Sequence, residues 1–475
     1  MYDVIIIGSG ISGATIAREL SKYMLKVIIL EKESDVATGA TLANSAIVHS
    51  GHDPEPGTLK AKFNILGNRM YRKMSKELDI PLLECGGIVV AIDEKQSKVL
   101  EMLYNRAKKN GLTDNEVSIL NQHEVRVMEP NISDLVLKAL YLPTTAVTFP
   151  WEVAIANIEN AMDNGVELSL DTEVLSIDEG ENFKVNTTKG LFEGKLIINA
   201  TGIHAAKVFE MVSNPKFEIT PRRGEYYVLD KDVRLVNSVI YPAPTDKGKG
   251  VIATPQVHGN TLLGPTSDYV DFDDVTRNTS NGLTYVKDNI CRTIKNVPFN
   301  KVIRCFAGSR PTSNLRDFII EESKPNFINI AGIDSPGLTA APAIAEYVVD
   351  EIVSNKLKLN KKENWIPTRK KVTRLSELTT EEKNEIIKND SRYANVICRC
   401  ENITEGEITE SIHRNCGSTN IVGVKMRVRP GAGRCQGGFC QPEVLKILSR
   451  ELNIDPMDVI YKKNGSNILI SRTKE

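Results

Sequence analysis

The start of the chain carries the feature that most restricts how it can fold. The apolar run Val4 to Ile7 predicts a buried parallel strand, residues 11–23 predict a helix, and residues 26–30 predict a second strand that ends at Glu31. Between the first strand and the helix stand the glycines of a G-x-G-x-x-G turn, Gly8, Gly10 and Gly13. Together these elements predict a βαβ unit of the kind that binds dinucleotides.

The residue types at this turn suit a pyrophosphate. Glycines let the backbone approach the phosphates at the positive end of the helix, and Glu31 can accept hydrogen bonds from ribose hydroxyls. FAD and NAD share this pattern. FAD is favoured because the chain continues with the small, polar stretch "SDVATGATLANSAIVHSGHD", and because no second turn of this βαβ type follows.

Two later stretches repeat the order of strand, glycine turn and helix: "KLIINATGIHAA" and "FINIAGIDSPGLTAAPAIAEYVVDEI". Because the pieces of this nucleotide-binding fold are spread over residues 1–352, we expect a second domain to be inserted between them. We predict an α/β protein with a Rossmann-type FAD-binding domain interleaved with a mixed-sheet α+β substrate domain, plus a small C-terminal cysteine-cluster domain. The predicted ranges are 1–355 for the oxidoreductase (FAD-binding parts 1–75, 150–212 and 326–355; substrate domain 76–149 and 213–325), 356–392 for a linker, 393–460 for the cysteine domain and 461–475 for a tail.

Composition argues against several classes of protein. The 475 residues include 60 basic and 61 acidic ones, so the net charge of -1 gives no reason to expect nucleic-acid binding. No segment approaches the roughly 18 apolar residues of a membrane span. The chain enters its first strand without a signal-peptide pattern, so we expect a cytoplasmic protein, in which clustered cysteines bind metal more often than they form disulfides.

Four of the eight cysteines stand close together near the end of the chain. They form a C-x-C pair, Cys398 and Cys400, and a C-x4-C pair, Cys435 and Cys440. Four thiolates could hold a zinc ion or a [2Fe–2S] cluster, and a metal-free remnant is a third alternative. We favour the cluster, because C-x-C is awkward for one tetrahedral ion and the glycines nearby expose N–H groups that can bond cluster sulfurs.

Local patterns predict the elements around these cysteines. "TTEEKNEIIKN" predicts a short helix in the linker, and Thr404 with Glu407 predicts a helix that starts with a capping box. Residues 422–428 are predicted to form a strand. Cys416 is expected to be a buried thiol, and the isolated Cys85, Cys291 and Cys305 are expected in the core.

Successive motifs resemble those of the D-amino-acid oxidase-like flavoprotein family: "DVIIIGSGISGATIAREL", "ATGATLANSAIVHSG", "INATGIHA", "RRGEYYVLD", "AGSRPT" and "AGIDSPGLTAAPAIAE". The resemblance runs from residue 1 to about 355. Within the family, the chain is most similar to the FAD-dependent glycerol-3-phosphate dehydrogenases (anaerobic large-subunit type) and to the L-2-hydroxyglutarate oxidases. The pattern "CRCE…CQGGFC" resembles the [2Fe–2S] module of bacterioferritin-associated ferredoxin.

The resemblance implies a catalytic base and an anion-binding residue. His49 follows "NSAIV" in a loop that would pass the flavin ring, and His52 is a less favoured alternative base. Arg310, on a tight loop between Gly308 and Pro311, would present a bidentate fork to a carboxylate or phosphate.

The resemblance also implies residues that hold FAD. Ser335 to Thr339 would precede a helix over residues 340–352, with Pro342 in its first turn and its dipole directed at the flavin. Lys60 and Lys62 could assist the substrate but are expected to be solvated, and Tyr226 is expected to pack. The residues expected to bind FAD are Gly8, Gly10, Ile11, Ser12, Gly13, Glu31, Lys32, Thr41, Asn44, Ser45, Val174, Ala200, Thr201, Gly202, Gly308, Gly332, Gly337, Leu338 and Thr339.

These implications lead to one main hypothesis and three alternatives. The main hypothesis is FAD-dependent oxidation of a small anionic secondary alcohol, glycerol 3-phosphate before L-2-hydroxyglutarate, with electrons leaving through the [2Fe–2S] cluster to a partner protein or subunit. That partner could associate the chain with a membrane. L-2-hydroxyglutarate as the substrate is the first alternative, an amine or imino acid substrate is the second, and a cluster domain that only senses or docks is the third.

Overall fold

The computed structural model describes residues 1–244 and 250–472. Residues 245–249 of the predicted substrate domain and 473–475 of the predicted tail lie outside this part of the chain. The strands are β1 (Tyr2–Ile7), β2 (Val27–Leu30), β3 (Ile47–Val48), β4 (Leu82–Leu83), β5 (Gly87–Ala91), β6 (Ser118–Asn121), β7 (Lys138–Leu142), β8 (Ala146–Thr148), β9 (Glu167–Ser169), β10 (Val174–Asp178), β11 (Phe183–Thr187), β12 (Gly190–Asn199), β13 (Ile219–Leu229), β14 (Val239–Pro242), β15 (Ile252–Pro255), β16 (Thr261–Gly264), β17 (Asp268–Tyr269), β18 (Val302–Ser313), β19 (Ile319–Lys324), β20 (Phe327–Ala331), β21 (Val396–Cys398) and β22 (Ile403–Thr404). The helices are α1 (Ile11–Leu20), α2 (Leu59–Leu78), α3 (Glu94–Asn110), α4 (Gln122–Met128), α5 (Pro150–Asp163), α6 (Ala205–Phe209), α7 (Ser280–Thr293), α8 (Gly337–Tyr347), α9 (Thr380–Asn389), α10 (Glu405–His413), α11 (Ile421–Val428) and α12 (Gln441–Leu452).

The first sheet has β1 near its centre. β1 pairs in parallel with β2 and β12, and β9 and β20 extend the parallel part. Val4 and Ile6 pack on the side of α1, while Ile5 and Ile7 pack into the core on the opposite face. Both faces of β1 are therefore buried, which explains its continuous apolar run. The carboxyl ends of β1, β2 and β12 meet at one edge, where open α/β sheets bind ligands.

The second sheet forms the inserted part. Its order is β17-β13-β16-β15-β14-β5-β7-β6, and β18 pairs with β13 along its length. It is mixed, because β5 and β14 are parallel while the other pairs are antiparallel. The predicted boundary at residue 325 needs correction: β19 pairs with β20 in the first sheet, because its register places Ile319 and Ile320 against the apolar Ala331 and Ile330.

Helices α2 and α8 pack closely against each other through Gly67 and Tyr71 of α2. A Cβ on Gly67 would overlap the carbonyl oxygen of Thr339, so glycine permits this contact. The predicted helix start at residue 340 was too late: α8 begins at Gly337, and Pro342 lies in its second turn. Proline cannot donate to the carbonyl of Leu338. The hydroxyl of Tyr71 on α2 donates to that carbonyl instead, at 2.6 Å.

The C-terminal module contains the β21–β22 hairpin and helices α10, α11 and α12 around their own apolar core. The predicted capping box of Thr404 and Glu407 is confirmed at the start of α10. The predicted strand over residues 422–428 was wrong, because these residues form α11. Asn420 caps that helix by accepting from the Gly423 N–H at 2.8 Å, and Arg429 ends it in the left-handed region (φ 68°).

The segment predicted as a linker packs against the first sheet's helices. The Trp365 indole donates to Ser21 Oγ at 3.2 Å, and Arg369 is buried against Glu159 of α5. The short helix predicted within this segment is confirmed as α9. Nowhere in residues 1–244 and 250–472 is there a helix with the length and apolar character needed to cross a bilayer.

Candidate active site and metal centre

Two of the three glycines at the turn between β1 and α1, Gly8 and Gly13, leave no room for a side chain. Gly8 has φ 100°, and a Cβ there would lie 2.7 Å from the carbonyl oxygen of Ala200. A Cβ on Gly13 would overlap the carbonyl oxygen of Gly8. The backbone at the N-terminus of α1 is therefore bare, which is the arrangement that accepts a pyrophosphate.

Glu31 lies at the carboxyl end of β2, next to this turn. Its Oε2 accepts from the Ser9 N–H at 2.9 Å, and its Oε1 accepts from the Glu33 N–H at 3.0 Å. Only 8% of the residue is exposed, and this burial raises the pKa of the carboxyl. The position and hydrogen bonds fit a carboxylate that binds a ribose at a dinucleotide site.

Further residues predicted to bind FAD lie in or directly after strands of the first sheet. The Ala200 N–H donates to the Ile7 carbonyl at 2.9 Å, and Thr172, two residues before Val174, donates to the Glu31 carbonyl at 2.8 Å. Lys32 is exposed, with Nζ 3.3 Å from His204 Nε2. Gly202 and Gly332 both have φ in the left-handed region, at 61° and 65°. The hydrogen bonds of Ala200 and Thr172 thus place the ends of β12 and β2 beside the glycine turn.

A cavity of about 1470 Å³ extends from the start of α1 into the second sheet. Its size exceeds the roughly 300–1,000 Å³ of common ligand pockets, so it can hold a cofactor ring together with a substrate. A Cβ on Gly308 would overlap the Ala43 carbonyl, so this glycine lets β18 approach the opposite wall. The predicted site residues in its walls are Ile11, Thr41, Asn44, Ser45, His49, Gly308, Arg310, Gly337 and Leu338.

His49 is held in the cavity wall through its main chain. Its N–H donates to Thr339 Oγ1 at 2.9 Å, and its carbonyl accepts from the side chains of Asn64 at 2.8 Å and Asn68 at 3.1 Å. Its Nδ1 lies 3.3 Å from the hydroxyl of Tyr241. Burial raises the pKa of Tyr241, so this hydroxyl stays protonated.

The alternative histidine occupies a different position. His49 lines the cavity, whereas His52 is not among the described residues that line it. His52 is 4% exposed, with Nδ1 3.4 Å from Ser50 Oγ and its ring against Tyr241. Tyr226 packs as predicted, stacked on Phe306, and its hydroxyl lies 3.1 Å from Ser45 Oγ.

Arg310 lies in the extended strand β18 and not on a tight loop, which corrects the expectation. β18 is an edge strand in this region, so it can include Pro311. Nε donates to the Arg222 carbonyl at 3.1 Å, and Nη2 donates to the carbonyls of Arg223 and Thr266 at 3.0 and 2.8 Å. These bonds occupy the guanidinium edge that was expected to bind the anion. Of the three guanidinium nitrogens of Arg310, Nη1 is the one that has no hydrogen-bond partner among the described residues.

Asp334, Arg222 and Tyr241 were missed by the sequence reasoning. Lys60 was expected to be solvated, but its ammonium lies 2.7 Å from Asp334 Oδ1, and its side chain is 17% exposed. Arg222 Nη2 lies 3.9 Å from the other oxygen of Asp334. "GIDSPG" marks Asp334 as part of a glycine turn, but the pairing partners lie far away in the sequence and give no local signal.

The four cysteines of the C-terminal module lie in two pairs. Cys400 Sγ is 3.7 Å from Cys435 Sγ, and Cys398 and Cys440 are buried in the same apolar core of the module. Among the described residues, no three His, Cys, Asp or Glu side chains surround one point as ligands of a single ion would. Two thiol pairs suit two irons, one pair for each, so the donor set fits a [2Fe–2S] cluster.

Backbone N–H groups around these thiols favour the thiolate, the form that binds metal. The interaction between the Cys398 and Cys440 thiols lowers the pKa of Cys398 to about 6 and raises the pKa of Cys440, and the N–H groups of Gly431 and Glu401 also lower the pKa of Cys398. The N–H groups of Gly437 and Phe439 likewise donate to Cys435.

The other four cysteines differ in burial. Cys416 is buried as predicted. Cys291 is exposed and Cys85 and Cys305 are half-buried, which corrects the expectation of a core position.

Comparisons with known proteins agree with this geometry. Residues 3–351 match the model of the FAD dependent oxidoreductase family, and residues 396–450 match the BFD-like [2Fe-2S] binding domain. The chain is 46% identical to a glycerol 3-phosphate dehydrogenase of Caloramator mitchellensis, over 100% of this chain and 99% of that protein. It is 28% identical to L-2-hydroxyglutarate dehydrogenase of Escherichia coli (strain K12), over 74% and 93% of the two chains.

A solved structure shares the fold of the larger part. The FAD-bound L-α-glycerophosphate oxidase of Mycoplasma pneumoniae superposes with a TM-score of 0.74 and 33% identity, over 78% of this chain and 98% of that one. Its fold and the match at residues 396–450 account for both cofactors. The chain belongs to the FAD-dependent oxidoreductase family related to D-amino-acid oxidase, carries a BFD-like [2Fe–2S] domain at its C-terminal end, and uses FAD and a [2Fe–2S] cluster as cofactors.

Proposed function

We propose that this chain oxidises glycerol 3-phosphate to dihydroxyacetone phosphate and passes the electrons on through its [2Fe–2S] cluster. The observation that carries the proposal is a single cavity, next to a turn that suits FAD, whose walls hold both His49 and Arg310. A secondary alcohol with an anionic end needs a base for its hydroxyl and a cation for its charge. The relative from Caloramator mitchellensis, matched along its length, is named for this substrate.

His49 is the proposed base. When bound, FAD supplies the acceptor for the hydride that leaves the alcohol carbon. His49 takes the hydroxyl proton at Nε2, and Nδ1 must then carry a hydrogen and donate it to the Tyr241 oxygen. Loss of a hydride from carbon and a proton from oxygen turns the alcohol into a ketone. The side chains of Asn64, Asn68 and Thr339 fix the main chain from which the imidazole projects.

Arg310 is the proposed anion-binding residue. Its three bonds to main-chain carbonyls hold the guanidinium rigidly, which leaves Nη1 to bind a phosphate oxygen. Arg222 also lines the cavity and adds positive charge, while the charge of Lys60 is balanced by Asp334. This charge suits the phosphate of glycerol 3-phosphate.

Arg310→Lys is expected to raise the KM for glycerol 3-phosphate about 10- to 100-fold with a smaller change in kcat. A hydrogen bond to a charged group contributes about 1.5–3 kcal/mol, and a lysine cannot keep the three carbonyl bonds while it reaches the phosphate. Steady-state kinetics with an artificial acceptor measures this effect. Arg277→Lys is the matched control, because Arg277 is an exposed arginine whose ion pair within the described residues is with Asp274 alone. An unchanged KM for Arg310→Lys would remove Arg310 from the substrate site.

L-2-hydroxyglutarate is the second candidate substrate. The 28% identity to the Escherichia coli dehydrogenase favours it, and a carboxylate could occupy the place assigned to the phosphate. Amino and imino acids remain a third class. They would be oxidised as free amines, so His49 would contribute little to turnover.

An electron-accepting partner protein or subunit is part of the proposal, since a cluster passes electrons singly to another redox centre. Phe439, between Gly438 and Cys440, is 86% exposed and would contact that partner beside the cluster. Association with a membrane would come through this partner. The alternative is a cluster that only senses or docks; equal turnover with a protein acceptor after Cys435→Ser would support it.

An anaerobic visible spectrum tests the function directly. The purified protein should show flavin bands and a broad cluster shoulder, and glycerol 3-phosphate should bleach the flavin bands rapidly. L-2-hydroxyglutarate, added to a separate sample, should bleach them slowly or not at all. Rapid bleaching by L-2-hydroxyglutarate alone would change the substrate, and bleaching by neither compound would contradict oxidation of both alcohols.

A further inference from the structure

The segment that follows Glu31 is bound by the C-terminal module that contains the four cysteines, here called the cluster domain. We define it as the ribose loop, residues 32–37. Asp35 accepts two hydrogen bonds from Arg427 of α11, at 2.8 and 2.9 Å, in a bidentate ion pair. Their side chains are only 3% and 4% exposed. A buried pair of this kind holds two segments together in one geometry, because neither charge can be left without its partner.

Further contacts attach the same loop to the C-terminal part of the chain. A Cβ on Gly423 would overlap Asp35 Oδ2, so α11 lies directly against the loop. Asp171 Oδ1 accepts from Ser34 Oγ at 2.7 Å and from the Asn464 side chain at 2.9 Å. The ribose loop is therefore enclosed by α11 on one side and by the segment after α12 on another.

The ribose loop in turn positions the dinucleotide site. The Ala37 N–H donates to the Ser9 carbonyl in the glycine turn at 3.2 Å. The Glu33 N–H donates to Glu31 Oε1 at 3.0 Å. A shift of the loop would thus move both the turn and the carboxylate that fit FAD.

The other end of the connection is the thiol cluster. Val424 and Val428 of α11 belong to the same apolar core as Cys398 and Cys440. Arg429, the residue that ends α11, donates two hydrogen bonds to Glu401, the neighbour of Cys400, at 3.1 and 3.0 Å. Metal bound by these cysteines would therefore fix the helix that carries Arg427.

We propose that the cluster domain is a structural part of the FAD site, so that cluster occupancy and FAD binding stabilise each other through α11, Arg427 and the ribose loop. By linkage, each cofactor strengthens the binding of the other by the same factor. This inference goes beyond the proposed reaction, because it holds for any substrate. It predicts that loss of the cluster, for example by oxidation, releases FAD.

The experiment measures the rate of FAD release from the full-length protein after dilution, followed by the rise in free-flavin fluorescence. Cys400→Ser/Cys435→Ser, which removes one thiol pair and whose loss of iron is checked by iron analysis, should release FAD about tenfold faster, within the usual range of such couplings. Arg427→Met, which keeps the cysteines, should do the same. Arg450→Gln, at a half-exposed arginine that pairs with Glu405 and Glu451 of the same domain, should release FAD at the wild-type rate.

A second measurement covers variants that fold poorly. In the wild-type protein, loss of iron to a chelator should be about tenfold slower with excess FAD than after FAD has been removed. Iron loss at equal rates with and without FAD, or an iron-free double variant that keeps FAD as well as the wild type, would overturn the coupling. Bleaching of the flavin by glycerol 3-phosphate reports the proposed function separately, since it needs only bound FAD and the cavity.

Discussion

His49→Ala is expected to lower the rate of flavin reduction by glycerol 3-phosphate about 10²- to 10⁴-fold, the usual contribution of a general base. The hydroxyl proton would have no acceptor, while Arg310 would still bind the phosphate. The dissociation constant of the substrate should therefore change much less than the rate. Anaerobic stopped-flow measurement of flavin bleaching at several substrate concentrations separates the two quantities.

Two further variants make this result specific. Tyr241→Phe keeps the packing but removes the hydroxyl that lies 3.3 Å from His49 Nδ1, so it should slow reduction less than His49→Ala and change its pH profile. His123→Ala, an exposed histidine on α4, should leave the rate unchanged. Turnover that survives His49→Ala nearly intact would point to an amine substrate.

Glu159→Met is expected to lower the free energy of unfolding by about 3–5 kcal/mol, the cost of removing one partner from a buried ion pair. Glu159 of α5 pairs with Arg369 from the segment before α9 and with Arg414 from the cluster domain, and all three side chains are less than one-tenth exposed. The substitution would leave two buried guanidinium groups without their shared carboxylate. The midpoint of urea unfolding, followed by circular dichroism, measures the effect.

The same carboxylate predicts a dependence on pH. Burial by itself raises the pKa of Glu159, but Arg369 and Arg414 outweigh it and the net pKa is lowered. The stabilisation is present above the ordinary pKa of 4.5 and is lost as the pH falls through the lowered value. Glu385→Gln breaks a pair on α9 whose side chains are 67% and 69% exposed, so it should change stability by less than about 1 kcal/mol. A midpoint for Glu159→Met as close to the wild type as that of this control would contradict the prediction.

Several features of the fold follow from short sequence patterns. The glycine turn with its strand and helix, and the capping box of Thr404 and Glu407, are found as predicted. Each depends on residues only a few positions apart, so the pattern contains both partners. Residues 422–428 show the limit of such patterns: they form a helix because Asn420 caps it and its apolar side packs on the core of the cluster domain.

The amino-acid sequence by itself determined the class of the protein and its two cofactors, because these depend on local spacing, and the same spacing predicts which four cysteines hold the metal. Only the tertiary structure decided how the parts work together. Tyr241 contacts His49 although 192 positions separate them in the sequence, and Arg427 contacts Asp35 across 392 positions. The guanidinium of Arg310 binds main-chain carbonyls. The reason is physical: such pairs are selected by packing and by the need to satisfy buried charges, and neither leaves a regular spacing in the sequence.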